Sequence, residues 1–376
     1  MGMAAWFVPL TTVLDAHGME AIRPIAFAST AVAALVSPLL FGAVADRHVP
    51  PTRVLRWLAL ASSICLGGVA MALNRRAPSG LVLAVIQCLA LASVPTWSLC
   101  NVIVLGRLKD PRREFGPIRA FGTLGWMVGC WLVSLLGADA STHSMWVGMG
   151  CLLALSLFTL RLPAIAPPSV MGTLTVRQRL GLDALSLLRN PDHRVVFLTA
   201  AFIAAPLSAF YPYTPPHLRD LGLTLTTAWM SLGQVTEIVA MFGLAALLAR
   251  WRLKWIFACG LGFALARYVL FAANERGWVL LGVSLHGLAL TLFFITAPIY
   301  LNERVDVLWR ARAQALLSLM TSGFGNLLGY LGIGVLFAAC QGEGGARWPI
   351  FWGVLAALVG AGFAYFLAAY RGRAAQ

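Results

Sequence analysis

The chain has 376 residues, 60% of them apolar and 11% charged, with a mean hydropathy of +0.81. Those values exclude an ordinary soluble globular protein and fit a chain that crosses a membrane many times. The net charge of +14 would suit a nucleic-acid partner in a soluble protein, so its distribution along the chain has to decide what it means.

Apolar runs of spanning length, divided by Gly, Pro and charged breaks, fall at residues 2–14, 24–45, 54–73, 79–105, 116–137 and 144–164. After a polar stretch they resume at 195–216, 225–249, 253–273, 277–301, 311–339 and 348–370. The expected fold class is an all-α polytopic membrane protein: twelve transmembrane helices in two six-helix halves, 1–164 and 195–376, joined by a cytoplasmic linker over 165–194. The linker carries an amphipathic piece around Leu180 to Leu188 that reads as an interfacial helix. The first run is short for about 30 Å of hydrocarbon, and without a basic stretch before it reads as a helix rather than a cleaved signal.

Charge supports this count. With the N-terminus placed in the cytoplasm, 20 of the 28 Lys and Arg fall in inner loops and the C-terminal tail, six fall in outer loops, and Arg119 and Arg267 are left inside spans. Both termini are therefore expected in the cytoplasm. The positive charge is an orientation signal, reinforced by anionic headgroups of the bilayer, and calls for no nucleic acid. Seven cysteines without CxxC spacing indicate neither zinc nor a disulfide framework. Without HExxH, GxSxG or a paired intramembrane Asp, the sequence gives no reason to expect an enzyme, a catalytic residue, a metal or a bound cofactor.

In chain order, the loop after the second run reads Gly42-Ala-Val-Ala-Asp46-Arg47-His48. The fourth run holds a polar seam, Gln87, Pro95, Thr96, Ser98 and Asn101, best explained as helix packing. In the fifth, Arg119, Thr123 and Trp126 follow at i, i+4 and i+7 and share a face. Gly122, Gly125 and Gly129 form an adjoining stripe of small residues suited to close helix approach. The eighth run carries one carboxylate halfway along, Glu237, with Gln234 a turn earlier on the same face. An acid at that depth costs at least ~2.5 kcal/mol against lipid and is expected to face a cavity or a partner. The remaining intramembrane ionisable groups are Arg267, read as a structural hydrogen bond to a neighbouring helix, and His286. Glu237 and His286 can each exchange a proton as their surroundings alternate between water and solute. The glycines of the eleventh run, 323, 325, 329, 332 and 334, suit close packing, with Asn326 as a cavity group.

Two six-helix halves joined by a linker are the architecture of secondary transporters built from parallel repeats, with the solute site near mid-membrane. The Gly42 to Arg47 stretch resembles the first half of the loop signature of the major facilitator superfamily, and that resemblance implies a cytoplasmic gate braced by Asp46 and Arg47. Four stretches resemble the nucleoside:proton symporter family within it: Phe115 to Trp126, Ser231 to Glu237, Leu253 to Phe271, and Ala311 to Leu317. The resemblance implies proton-coupled uptake of nucleosides by alternating access, driven by the proton gradient, in a bacterial inner membrane and as a monomer. By it, Arg119, Thr123, Trp126, Gln234, Glu237 and His286 bind the solute, and Glu237 and His286 couple it to protons. The chain departs from the family at Ser208-Ala-Phe210-Tyr211, where Gln and Asn are usual. It departs again in the tenth helix, where His286 takes an aromatic position and Thr291 an acidic one. A sugar or another small hydroxylated solute would be served by the same carboxylate, Arg and Trp.

Overall fold

The computed structural model describes residues 1–45, 49–105, 107–108, 111–162 and 175–372. Eleven helices among them are long and apolar enough to cross a bilayer, and the shorter apolar stretch Gly2–Ala16 precedes them, giving the twelve-span, nearly all-helical architecture. Helix is what such a sequence must adopt in hydrocarbon, because there each backbone N–H and C=O has to be satisfied within its own segment.

The departures from straight helix have local causes. The first span breaks between Phe7 and Leu10 at Pro9, which has no N–H to give. The seventh runs from Pro191 to Asp220 with an interruption at Ser208 and Ala209. Pro212 cannot return a hydrogen bond to the Ser208 carbonyl. The fifth begins at Pro111, five residues ahead of its apolar run, because a proline at the first helical position loses no bond. The tenth and eleventh each contain a wide π turn, Leu290–Ile295 and Leu319–Gly325.

The chain forms two compact units. The first comprises residues 1–175 with Tyr211–Pro216 and Leu225–Ser231, and the second comprises Val176–Phe210, His217–Thr224 and Leu232–Gln376. In the first unit, Asp15 and Arg23 form a buried ion pair at 2.5 Å, with the guanidinium carbon 5.5 Å from the Tyr213 ring centre. Asp139 accepts hydrogen bonds from the Ser134 hydroxyl at 2.8 Å and the Thr227 N–H at 2.7 Å, and Ser134 accepts from the Ala228 N–H at 2.9 Å. These two side chains cap Thr226–Trp229, the opening turn of the eighth span, whose N–H groups have no partner within the helix.

In the second unit, Asn190 caps the seventh span by accepting from the Asp192 and His193 N–H groups, and Asp192 in turn accepts from the Arg371 N–H at 3.0 Å. The expected interfacial helix of the linker is the 3-10 segment Leu182–Arg189, which follows the single α turn Val176–Arg179. Its position is set by the 2.9 Å ion pair between Asp183 and Arg312. It is set also by Gly181, where a side chain would run into the backbone of Arg312 and Leu316.

Candidate functional site

Within the first unit, the fifth span turns Phe121, Leu124, Val128, Trp131 and Leu135 outward and buries Ala120, Thr123, Cys130 and Val133. This periodicity assigns one face to lipid and the other to the protein interior. Arg119 is half-buried, with its guanidinium carbon 4.8 Å from the centre of the Trp97 ring in the fourth span. A cation over an indole face is attracted by the ring's quadrupole, which holds it against snorkelling toward the headgroups. Trp126 stands 5.9 Å from Tyr211, which meets Phe7 at 5.2 Å, and its indole N–H is buried with no hydrogen-bond partner among the described residues. The glycine stripe serves close approach only in part. A side chain at Gly129 would strike the Met1 backbone, whereas one at Gly122 would meet nothing within 4 Å.

Within the second unit, the eighth span buries Gln234 and Glu237 and exposes Val235, Val239 and Phe242, so the carboxyl faces protein and not the surface. Glycines bring the eighth and tenth spans into backbone contact there. A side chain at Gly287 would overlap the Glu237 N–H and the Gly233 carbonyl, and one at Gly233 would press on His286 at 3.0 Å. Thr236 fastens the same crossing by donating to the Ser284 carbonyl. His286 is therefore seated by the glycines beside the helix that carries Glu237.

His286 is held from two further sides. Phe210 of the seventh span stacks on its ring at 4.0 Å between centres, 8° from parallel. Arg267 of the ninth donates from Nη1 to its Nδ1 at 2.6 Å. A guanidinium can only donate, so Nδ1 accepts and the ring N–H is at Nε2. Arg267 is fully buried, its guanidinium carbon 4.5 Å from the Tyr268 ring centre and 4.9 Å from that of Phe210. It makes the bond to a neighbouring helix that its sequence position suggests.

Thus each unit gathers its own share of the expected residues: Arg119, Thr123 and Trp126 in the first, Gln234, Glu237 and His286 in the second. Asp46 and Arg47, the expected gate, lie outside the described residues. The polar seam of the fourth span does packing work, since Gln87 donates to the Ser29 carbonyl at 3.3 Å and Thr96 to Ser93 in its own helix. Thr291 is buried inside the π turn of the tenth span. Trp97 and the stacking role of Phe210 were not expected. Aromatics in apolar helices carry no signal of what they touch, although the adjacent polar Thr96 and Ser98 marked the stretch around Trp97.

Twelve spans, with an arginine, a glutamine and a carboxyl turned inward from apolar helices, define a secondary transporter of the major facilitator fold. The family described as Nucleoside H+ symporter matches residues 3–374, and the chain belongs to it. YegT of Escherichia coli (strain K12) is 34% identical over 340 residues, 87% of this chain and 79% of its own. Xanthosine permease of the same organism is 28% identical over 385 residues, 97% of this chain and 90% of its own. The crystal structure of a substitution mutant of nucleoside transporter NupG superposes with a TM-score of 0.89 at 24% identity, covering 98% of this chain and 96% of that one. That last likeness is one of fold.

Proposed function

We propose that this transporter carries a nucleoside into the cell together with protons, by alternating access, as a monomer in a bacterial inner membrane with both termini in the cytoplasm. The family it belongs to and the names of its relatives support the solute class, and no covalent step is part of the cycle. Arg119 and Gln234 supply donors for hydroxyl groups and base edges, Thr123 supplies a hydroxyl, and Trp126 a ring face on which a base can stack. His286 offers Nε2–H to the solute. Glu237 carries the proton, and His286 takes one only as its bond from Arg267 opens, which makes it the second group of the coupling.

The observation that carries this reading is the placement of Glu237: buried halfway along an otherwise apolar span, with its lipid-facing neighbours all hydrophobic. Purified protein in proteoliposomes, with the interior alkaline, is expected to accumulate radiolabelled nucleoside above the external concentration. Glu237→Gln is expected to bring accumulation to the level of empty liposomes while nucleoside exchange and thermal stability persist. Uphill uptake unchanged in that variant removes Glu237 from the coupling, and accumulation of a sugar but of no nucleoside reassigns the solute.

A further inference from the structure

The seventh and eighth spans each leave backbone groups that their own helix cannot satisfy, and the first and fifth spans supply the missing partners. The eighth span opens at Thr226, and the residue before it, where a helix commonly provides its own cap, is Leu225, apolar and in the left-handed region at φ 55°. Its opening turn is capped from another helix instead: Asp139 accepts from the Thr227 N–H at 2.7 Å and Ser134 from the Ala228 N–H at 2.9 Å. In the seventh span, Pro216 has no N–H to return to the Pro212 carbonyl. The Thr11 hydroxyl of the first span donates to that carbonyl at 2.9 Å in a buried bond.

Local structure puts Asp139 in place for this. Gly137, at φ 63°, ends the fifth span in a left-handed turn, in which the Gly137 and Ala138 N–H groups return to the Ser134 and Val133 carbonyls. Asp139 follows directly. Its carbonyl accepts from the Thr12 hydroxyl of the first span, and its carboxylate from the Ser134 hydroxyl at 2.8 Å. The carboxylate is therefore fixed by the first and fifth spans and reaches across to the eighth.

Contacts of this kind can part without melting a helix. The N–H groups of a first turn and a carbonyl opposite a proline have no partner in their own ladder, so water admitted from that side can take the places of Asp139 and Thr11 while the rest of each ladder stays closed. Both helices are also interrupted beside these contacts, the seventh at Ser208 and Ala209 and the eighth at Met230 and Ser231. There the chain crosses the limits of the first unit, which keeps Tyr211–Pro216 and Leu225–Ser231. We infer that Asp139 is a latch that shuts the solute pathway on the side of the membrane opposite the linker, released whenever that side opens in the alternating-access cycle proposed above, on which this assignment rests. Thr11 is its companion on the seventh span.

A static brace tolerates a covalent bond, and a latch does not. Ser134 and Ala228 lie within disulfide reach of each other. The Ser134→Cys/Ala228→Cys variant in proteoliposomes is expected to accumulate nucleoside when reduced, to lose at least tenfold in uptake rate when oxidised, and to recover with dithiothreitol. Oxidised wild type, whose seven cysteines are free, is the control. Uptake that persists with the bond formed, as judged by mass, overturns the latch. Labelling by an impermeant maleimide reads the same movement without transport. Thr227 is fully buried, so Thr227→Cys is a slow-reacting reporter. Adding Asp139→Asn, which keeps the shape and removes the charge, should speed its labelling at least fivefold, and equal rates overturn the assignment to Asp139. Should the bond fail to form, the labelling rates decide the latch by themselves. They do so too if neither wild type nor the reduced variant accumulates nucleoside, an outcome that removes the functional reading separately.

Discussion

Arg119 and Arg267 are chemically identical cations inside membrane spans, and the two units house them differently. Arg119 keeps part of its surface accessible and lies over one indole, that of Trp97. Arg267 has none accessible and is enclosed by Phe210, Tyr268 and the ring nitrogen of His286. Of its guanidinium nitrogens only Nη1 has a hydrogen-bond partner among the described residues, Nε and Nη2 being buried without one, and the cation is held chiefly by the rings around it, so Arg267 is packed as part of the framework. On the proposed reading, the charge that stays partly accessible is the one that meets the solute. Depth in the sequence of a span therefore says less about an arginine's role than the rings that close around it.

Substitutions can test that contrast. Arg267→Met should destabilise most, by roughly 3 kcal/mol, through loss of two buried cation–π contacts and the bond to His286. Thermal unfolding in detergent measures it, and an unchanged melting temperature would leave the two arginines indistinguishable. Gly287→Ala should cost about 1–3 kcal/mol by pushing the tenth span off the eighth at Glu237, and should impair uptake through geometry alone. Arg119→Lys should leave the melting temperature within a degree of wild type but weaken solute binding about tenfold, or ~1.4 kcal/mol, because an ammonium lacks the planar fork. Isothermal titration reads the affinity; a loss of stability without a loss of affinity would make Arg119 a second structural cation. The mildest change is Trp97→Leu, which removes one partly exposed cation–π contact of ~0.5–1 kcal/mol and should weaken binding only a few-fold.

The fold was legible because its signal is redundant. Apolar length, charge alternation and the polar linker each mark the same boundaries, and the observed helices fall within a few residues of them. Glu237 and Arg119 stood out for the same reason, since a charge in a long apolar run is rare and costly. The partners of those residues were not legible. Nothing in Trp97 or Phe210 distinguishes a ring under a guanidinium from one facing lipid, and nothing in Gly287 says that its missing side chain is what lets two helices touch. Nor does the sequence separate Gly129, pressed against Met1, from Gly122, which meets nothing. Such facts belong to pairs of segments, and spacing within one segment cannot carry them.

The two π turns bear on how the last third of the chain is phased. Each wide turn accommodates one residue more than an α ladder would over the same rise. Were Leu290–Ile295 to close as continuous α-helix with every residue retained, everything beyond would swing by about 100° around the axis. Tyr300 would then leave His193, and Gln314 would lose the Pro298 carbonyl it reaches at 2.8 Å. The surplus residue thus acts as a phase setting, letting His286 and Tyr300 answer to different neighbours along one rod.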